Sequence, residues 1–291
     1  MGASVSNAAI ETYEDTVRYL AQQSISRLRP HVMEVGVQSE GHNWDRLGTQ
    51  EATKKTGRIV ATPEQDYPWS RRKSIPVVYH TGDTAEHEEI NTMLIDPNSS
   101  IANAQGMAMR RAYDKEIIEA ATGDSRDGSG NVVPYDTSQN IGDGTASINF
   151  DIVTETTERF MDNDIDPDVE KCMVVSPRQA RKILQLTEAT SGDYNAMRPL
   201  TSKGYVESWM GYTWIVSTLL PDASVGQDGS EEYCFAMTKR AVGMQVNKDI
   251  WVRVAESVEN SFVWRIYTAA QFGAIRVEDE QIVRLHLATA I

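Results

Sequence analysis

The chain has 291 residues, of which 40% are hydrophobic and 24% charged, a balance typical of globular proteins that bury a sizeable core. Its formal net charge is −14, which argues against a protein that reads nucleic acid by neutralising phosphates with a basic surface. No apolar run is long enough to predict a membrane span, and the N-terminus lacks the features of a secretory signal.

The N-terminal segment has a helical repeat. Apolar residues recur at three- and four-residue intervals across residues 6–29, which predicts an amphipathic helix. Pro30 is expected to end this helix, because proline disfavours helical geometry in the residue before it. The helix either packs on the core of its own chain or forms an arm that packs on another subunit, and we favour the arm. Its contact face would include Ile10, Tyr13, Val17 and Leu20.

A polar segment over residues 32–80 contains two candidate strands, at 57–61 and 74–79, which predict a long hairpin. The basic run Arg71-Arg72-Lys73 and Trp69 lie between these strands and are expected at the hairpin tip. Isolated two-stranded ribbons are marginal in water, so we expect a neighbouring subunit to hold the hairpin. The basic run is either a solvated tip or a contact with an acidic surface of that neighbour. We favour the contact, because guanidinium groups form paired hydrogen bonds with carboxylates.

One long helix is predicted next. The sequence Asp96-Pro97-Asn98-Ser99-Ser100 supplies side chains that cap a helix N-terminus, and apolar residues then keep a helical spacing as far as Ala121. Gly123 is placed to end the helix. Roughly 23 residues would make a rod about 35 Å long. Because alanine dominates its apolar stripe, we expect the helix to lie close against a sheet.

The rest of the chain alternates short helices and strands. Helices are predicted at residues 147–160 and 177–186, the second beginning with proline. Strands are predicted at 172–177, 211–219, 233–237, 242–246, 250–254, 261–272 and 281–288. The alternation lacks the regular strand-helix-strand repeat of a doubly wound sheet, so the predicted fold class is α+β.

Motifs of catalysis and cofactor binding are missing from the sequence. It has no phosphate-binding loop, no paired-histidine zinc helix, no serine-nucleophile elbow and no closely spaced cysteine pair. Cys172 and Cys234 are far apart, and we expect buried free thiols, with a disulfide between them as the alternative. We therefore assign no catalytic residue and no cofactor.

Four aspartates alternate in the turn at residues 162–168, as they do in calcium-binding loops. Pro167 stands where such a loop requires glycine, and Met173 stands where it requires glutamate, so we assign no metal. His80 and His87 lie near several glutamates, but no local geometry directs them to one ion. A metal-assisted hydrolase that combines this turn with either histidine is the alternative function of another class.

Six short motifs occur in a fixed order over most of the chain. They are Thr62-Pro63, Arg71-Arg72, Asp96-Pro97-Asn98-Ser99, the helix from Met109 to Gly123, and the segments Ala241-Val242-Gly243 and Gly273 to Asp279 near the C-terminus. In this order and spacing, they resemble the major capsid proteins of tailed bacteriophages, which have the HK-ninety-seven-type fold.

The resemblance implies an α+β fold in five parts. These are an N-terminal arm (1–45), an extended loop or E-loop (46–96), a peripheral domain with a spine helix (97–168), an axial domain (169–240), and return strands of the peripheral domain (241–291). It also implies a non-enzymatic protein that self-assembles as hexamers and pentamers into an icosahedral head. That head would enclose the double-stranded DNA genome without sequence-specific binding.

The implied partners are copies of the chain itself, a separate scaffold protein, a portal protein and, as a further candidate, decoration proteins. The implied location is the virion, after assembly in the cytoplasm of a bacterial host. An encapsulin-like bacterial compartment shell has the same fold and is the alternative within this class. The amphipathic N-terminal segment and the ordered motifs favour the phage capsid.

Overall fold

The structure is a computed structural model that describes residues 23–49, 51–62, 64, 66–85, 97–186, 206–224, 229–257 and 263–289. The chain divides into two compact units. The first consists of residues 1–25, 78–112 and 249–270, and the second of residues 26–77, 113–248 and 271–291. The five domain boundaries implied by the resemblance remain a prediction.

The described residues form three α-helices and fourteen strands, which agrees with the predicted α+β class. The helices are α1 (Pro97–Thr122), α2 (Phe150–Asp162) and α3 (Pro177–Gln185). The strands are β1 (Met33–Gly36), β2 (His42–Leu47), β3 (Trp69–Ser74), β4 (Val77–Ala85), β5 (Ser125–Arg126), β6 (Val132–Val133), β7 (Asn140–Ile141), β8 (Lys171–Val175), β9 (Ser208–Trp209), β10 (Tyr212–Val216), β11 (Glu231–Thr238), β12 (Val242–Ser257), β13 (Val263–Arg276) and β14 (Ile282–Ala288).

A six-stranded sheet with the order β7-β14-β11-β8-β10-β9 lies in the second unit. Strand β8 pairs in parallel with β10 and antiparallel with β11, so the sheet is mixed. Met237 lies opposite Cys172 in this register, and Cys234 has the other parity along β11. The two cysteines therefore face opposite sides of the sheet, because successive strand residues alternate. Both are buried free thiols, as predicted.

Helices α2 and α3, both predicted from the sequence, begin with local capping chemistry. The Asn149 side chain accepts a hydrogen bond from the backbone N–H of Ile152 at 2.8 Å. Ser176 caps α3 in the same way, and proline occupies the first turn. The buried face of α2, which includes Ile152, Val153 and Phe160, packs in the core beside the six-stranded sheet.

Helix α1 ends immediately before Gly123, as predicted. In the first unit, the Thr268 hydroxyl of β13 donates to the Gln105 side chain at 2.7 Å. In the second unit, the Tyr113 ring stacks on Phe272 of the same strand, with centroids 3.9 Å apart. The helix thus packs on a sheet strand, as expected. Its buried apolar face is nevertheless not mostly alanine, because it includes Met109, Tyr113, Ile117 and Ile118 beside Ala120 and Ala121.

The N-terminal helix was predicted too far toward Pro30, because residues 23–28 are not helical. Residues 6–22 of that prediction lie outside the described residues. The Ser26 hydroxyl and the backbone N–H groups of Arg27 and Leu28 all donate to the Asp114 carboxylate of α1, at 2.5, 3.0 and 3.2 Å. These tertiary hydrogen bonds replace the local ones that a helix would make. Pro30 lies in a 3-10 turn at Arg29–His31.

The hairpin of the polar segment was predicted with the wrong first strand. Strand β3 pairs antiparallel with β2, with Trp44 opposite Arg72, and residues 57–61 form no strand. The basic run therefore lies within β3 and not at a tip. The second predicted strand, 74–79, is divided between β3 and β4. Pro76 stands at the division and has no N–H to donate to a strand ladder.

The long C-terminal strands replace shorter predicted ones. Strand β12 is continuous where two strands, 242–246 and 250–254, were predicted. In the second unit β12 pairs in parallel with β1, and Met33 lies opposite Gly243. A Cβ atom at Gly243 would approach the Trp44 ring to 2.6 Å, so this glycine makes room for the tryptophan.

Candidate functional site

The β2–β3 hairpin has two faces of different character. Residues alternate between the faces, so the register determines which side chains lie together. We call the first the inner face, formed by His42, Trp44, Arg46, Ser70, Arg72 and Ser74. We call the second the hairpin outer face, formed by Asn43, Asp45, Leu47, Trp69, Arg71 and Lys73.

The inner face is held against the rest of the second unit by apolar packing and hydrogen bonds. Trp44 is 9% exposed and packs with Ile275 and Val277. Its indole N–H donates to the Ser74 hydroxyl at 3.2 Å, and that hydroxyl lies 3.0 Å from the Gln245 side-chain oxygen. A buried tryptophan with a satisfied N–H contributes both apolar burial and orientation.

A charged cluster around Asp279 holds the same face. The Asp279 carboxylate lies 2.5 Å from Arg72, 3.4 Å from Arg46 and 2.6 Å from Arg276. The Arg276 side chain is fully buried, and the Arg72 side chain is 8% exposed. Burial by itself would raise the pKa of Asp279, but the hydrogen bond from Arg276 and the charges of Arg276, Arg72 and Arg46 hold it below its usual value.

Arg276 also belongs to a stack of cations and rings. Its guanidinium lies 4.6 Å from the centroid of the Tyr135 ring, and the Arg284 guanidinium lies 4.0 Å from that centroid. Arg284 in turn lies 4.3 Å from the centroid of Tyr233. Burial, opposed by the charges of both arginines, raises the pKa of Tyr135 to about 12. The cluster therefore connects the hairpin to the strands of the second unit through buried charges and rings.

The hairpin outer face combines exposed apolar and charged side chains. Trp69 is 70% exposed and lies opposite Leu47, which is 53% exposed. The Arg71 Nε lies 2.6 Å from the Asp45 carboxylate across the strand pair, and both side chains are well exposed. The segment that joins β2 to β3 adds further exposed apolar side chains, among them Ile59, Val60 and Tyr67. Large apolar side chains exposed side by side, as Leu47 and Trp69 are, are typical of interaction surfaces.

The predicted interface residues are thus separated by the structure. Trp69, Arg71 and Lys73 share the exposed face of the hairpin. Arg72 was predicted with them but lies on the inner face, because strand residues alternate and its side chain pairs with Asp279. The predicted contact residues of the N-terminal segment, Ile10, Tyr13, Val17 and Leu20, lie outside the described residues.

Leu47, Asp45 and Asp279 were not singled out from the sequence. The stretch HNWDRL at 42–47 does alternate in polarity, which is the signal of a half-buried strand. Trp44 is the only large apolar residue that this stretch places on the inner face, and one such residue among polar neighbours is too weak a pattern to predict a strand. Arg276 is only three residues from Asp279, but its other two arginine partners come from the distant strands β2 and β3, so the local sequence does not reveal the cluster.

The turn at 162–168 is organised by a lysine of the chain. The Lys171 ammonium group donates to the backbone oxygens of Asp166, Pro167 and Val169 at 3.0, 3.0 and 3.1 Å. Across the part of the chain that the structure describes, no three His, Cys, Asp or Glu side chains are grouped to hold a metal ion. His87 lies outside that part. Within the same residues, no helix combines the length and apolarity needed to cross a bilayer.

A family model described as "Phage capsid protein" matches residues 5–288, and the chain belongs to this family. Comparison with curated proteins gives no match.

Solved structures have the same fold at low sequence identity. A structure from Mycobacterium phage Che8 is similar with a TM-score of 0.71 and 13% identity, over 96% of this chain and 97% of that one. The capsid structure of cyanophage P-SCSP1u is similar with a TM-score of 0.71 and 14% identity, over 99% of this chain and 95% of that one. The capsid structure of Ralstonia phage GP4 is similar with a TM-score of 0.72 and 10% identity, over 98% of this chain and 97% of that one.

These comparisons confirm the predicted HK-ninety-seven-type fold and the predicted role. The chain is a major capsid protein of the tailed-phage type, a structural component of the virion and not an enzyme. The hydrolase alternative is therefore wrong, and the family match is to phage capsids and not to a bacterial compartment. As a capsid protein, the chain associates with copies of itself.

Proposed function

We propose that the chain assembles as hexamers and pentamers into an icosahedral head and that the hairpin outer face is a contact between subunits. The observation that carries the second part is the contrast between the two hairpin faces. The inner face is held by Trp44 and the Asp279 cluster, while Trp69 and Leu47 stay exposed. A hairpin held rigidly with a large apolar pair exposed is preorganised for a partner.

The chemistry of the outer face suits a contact between proteins. Tryptophan and arginine are the residues that most often dominate the binding free energy of interfaces, each costing about 2 kcal/mol or more when truncated. Trp69 and Arg71 lie two residues apart on β3, so both can enter one contact. The N-terminal arm, with Ile10, Tyr13, Val17 and Leu20, is proposed as a second contact between subunits.

The charge of the chain supports enclosure of DNA without adhesion to it. A net charge of −14 repels the phosphate backbone, so the shell would enclose the packaged double-stranded DNA without binding it sequence-specifically. A scaffold protein, a portal protein and decoration proteins are the further proposed partners, on the basis of the family alone.

The experiment is an assembly assay on the full-length chain with Leu47→Ser and Trp69→Ser combined. The matched control is Val132→Ser, because Val132 is also a strand residue and is 64% exposed. We expect the double variant to keep its far-UV circular dichroism spectrum but to form at least about tenfold fewer capsomers and closed particles. The control should assemble normally. Normal assembly by the folded double variant would refute the interface.

A further inference from the structure

A concentration of negative charge on the chain suggests which surface of a neighbouring copy the hairpin outer face would contact. Residues 151–170, which we call the acidic segment, contain eight carboxylates and one guanidinium, a net charge of −7 out of the −14 of the whole chain. The one guanidinium, Arg159, already donates to the Ser138 carbonyl at 2.5 Å and lies 3.9 Å from Glu155. The neighbouring Lys171 is directed into the turn and bonds backbone oxygens there. Among the residues that the structure describes, these two cations offset only part of the charge of the acidic segment.

The acidic segment presents its carboxylates in a row. Helix α2 buries Ile152, Val153, Thr156 and Phe160, so the opposite side of the helix faces outward. That side carries Asp151, Glu155, Glu158 and Asp162, which together with Thr154 and Arg159 line a shallow groove of about 400 Å³. Phe150 and Met161 lie at the two ends of the helix and are 37% and 51% exposed.

The spacing of the two surfaces matches. Arg71 and Lys73 are two residues apart on β3, which separates them by about 7 Å along the strand. Glu155 and Glu158 are three residues apart on α2, which places their Cβ atoms about 5–6 Å apart on one helix face. Two cations of the strand can thus face two carboxylates of the helix at the same time. Trp69 continues the strand side by a further two residues, about 7 Å, beyond Arg71, in the direction that leads past Glu158 to Met161 when Arg71 faces Glu158.

We propose that the hairpin outer face of one copy docks on the acidic segment of a neighbouring copy. Lys73 pairs with Glu155, Arg71 pairs with Glu158, and Trp69 packs beside Met161. Arg71 keeps its Nε bond to Asp45, and its terminal guanidinium nitrogens bind the neighbour's carboxylates. The inference rests on the proposed interface role of the outer face and adds the identity of the surface opposite it.

A charge-exchange experiment on the full-length chain tests this pairing. Three variants are compared: Arg71→Glu with Lys73→Glu, Glu155→Lys with Glu158→Lys, and all four substitutions together. Capsomers are measured by analytical ultracentrifugation, closed particles by negative-stain electron microscopy, and folding by circular dichroism. Each double variant should lose at least about tenfold in assembly, because like charges then face each other across the contact. The fourfold variant should recover to within about twofold of the parent chain.

The matched control reverses two other exposed cations, with Arg178→Glu and Arg181→Glu on α3. Combined with the Glu155→Lys and Glu158→Lys changes, this control should not restore assembly. If the Arg71 and Lys73 variant fails to assemble and the fourfold variant does not recover, the pairing is overturned while the outer face stays an interface. If the Arg71 and Lys73 variant assembles normally, the charged contact is overturned, and the Trp69 and Leu47 assay decides on the interface itself. Normal assembly of the Glu155 and Glu158 variant also overturns the pairing.

Discussion

Asp279→Ala is expected to destabilise the attachment of the hairpin far more than deletion of an exposed aspartate does. The Asp279 carboxylate contacts three guanidiniums, and two of them belong to the buried side chains of Arg276 and Arg72. Removing one partner of a buried ion pair costs about 3–5 kcal/mol, because the remaining charge stays buried without compensation. Arg276 keeps a hydrogen bond to the Gly123 carbonyl and its position over the Tyr135 ring. We therefore place the cost at the lower end, about 3 kcal/mol.

The matched control is Asp45→Ala on the hairpin outer face. Asp45 also pairs with an arginine at short distance, 2.6 Å, but the two side chains are 62% and 49% exposed. Exposed ion pairs contribute only about 0.2–1 kcal/mol. The two aspartate deletions should therefore differ by about 2 kcal/mol or more, although each removes one carboxylate from the same hairpin region.

The assay is urea unfolding of the unassembled full-length chain, followed by tryptophan fluorescence and far-UV circular dichroism. With a denaturant slope of about 3 kcal/mol/M, Asp279→Ala should lower the unfolding midpoint by about 1 M. Asp45→Ala should lower it by no more than about 0.3 M. If the two variants unfold at the same midpoint, the reasoning that the Asp279 cluster holds the hairpin is refuted.

Three further predictions concern stability. The free-energy difference between the parent chain and Asp279→Asn should be constant from neutral pH to about pH 4 and should shrink at lower pH, because a carboxyl with a lowered folded pKa loses its stabilisation as it protonates. Gly273→Ala should cost about 2–3 kcal/mol in urea unfolding, since its Cβ would collide with the Ile75 backbone. Lys171→Met should cost about 1–2 kcal/mol, because three carbonyl oxygens lose one ammonium donor.

Each of these predictions has an outcome that contradicts it. If the difference in unfolding free energy between the parent chain and Asp279→Asn grows below pH 4, the predicted pH dependence has the wrong sign. For Gly273, the control is Gly106→Ala in α1, where an added Cβ meets no atom within 4 Å and should be neutral or stabilising. Equal stabilities of the two alanine variants would contradict the collision at Gly273. Unchanged stability of Lys171→Met would show that solvent satisfies the turn carbonyls equally well.

The helices were predictable from sequence because their signals are local. Asn149, Ser176 and the proline after it cap α2 and α3 within one turn, and Gly123 follows the last residue of α1. The end of the N-terminal helix could not be predicted. Residues 26–28 are held by Asp114, 86 or more residues away in sequence, and no local pattern reports that contact.

The hairpin was predicted with only one correct strand region, because its pairing is also a long-range contact that leaves no local pattern. Pairing between β2 and β3 spans a connection of more than twenty residues, and the sequence offered residues 57–61 as a stronger β-type run. Once the strand was misplaced, the parity of Arg71 and Arg72 could not be assigned. That parity decides the site, because one arginine is exposed beside Trp69 and its neighbour is buried on Asp279.

The most direct measurement is a three-dimensional reconstruction, by electron cryomicroscopy, of particles assembled from the full-length chain. The account predicts a closed icosahedral shell in which Trp69 and Arg71 of each copy are buried against a neighbouring copy, next to the carboxylates of residues 151–170. A shell in which Trp69 and Arg71 face solvent in every copy would contradict it.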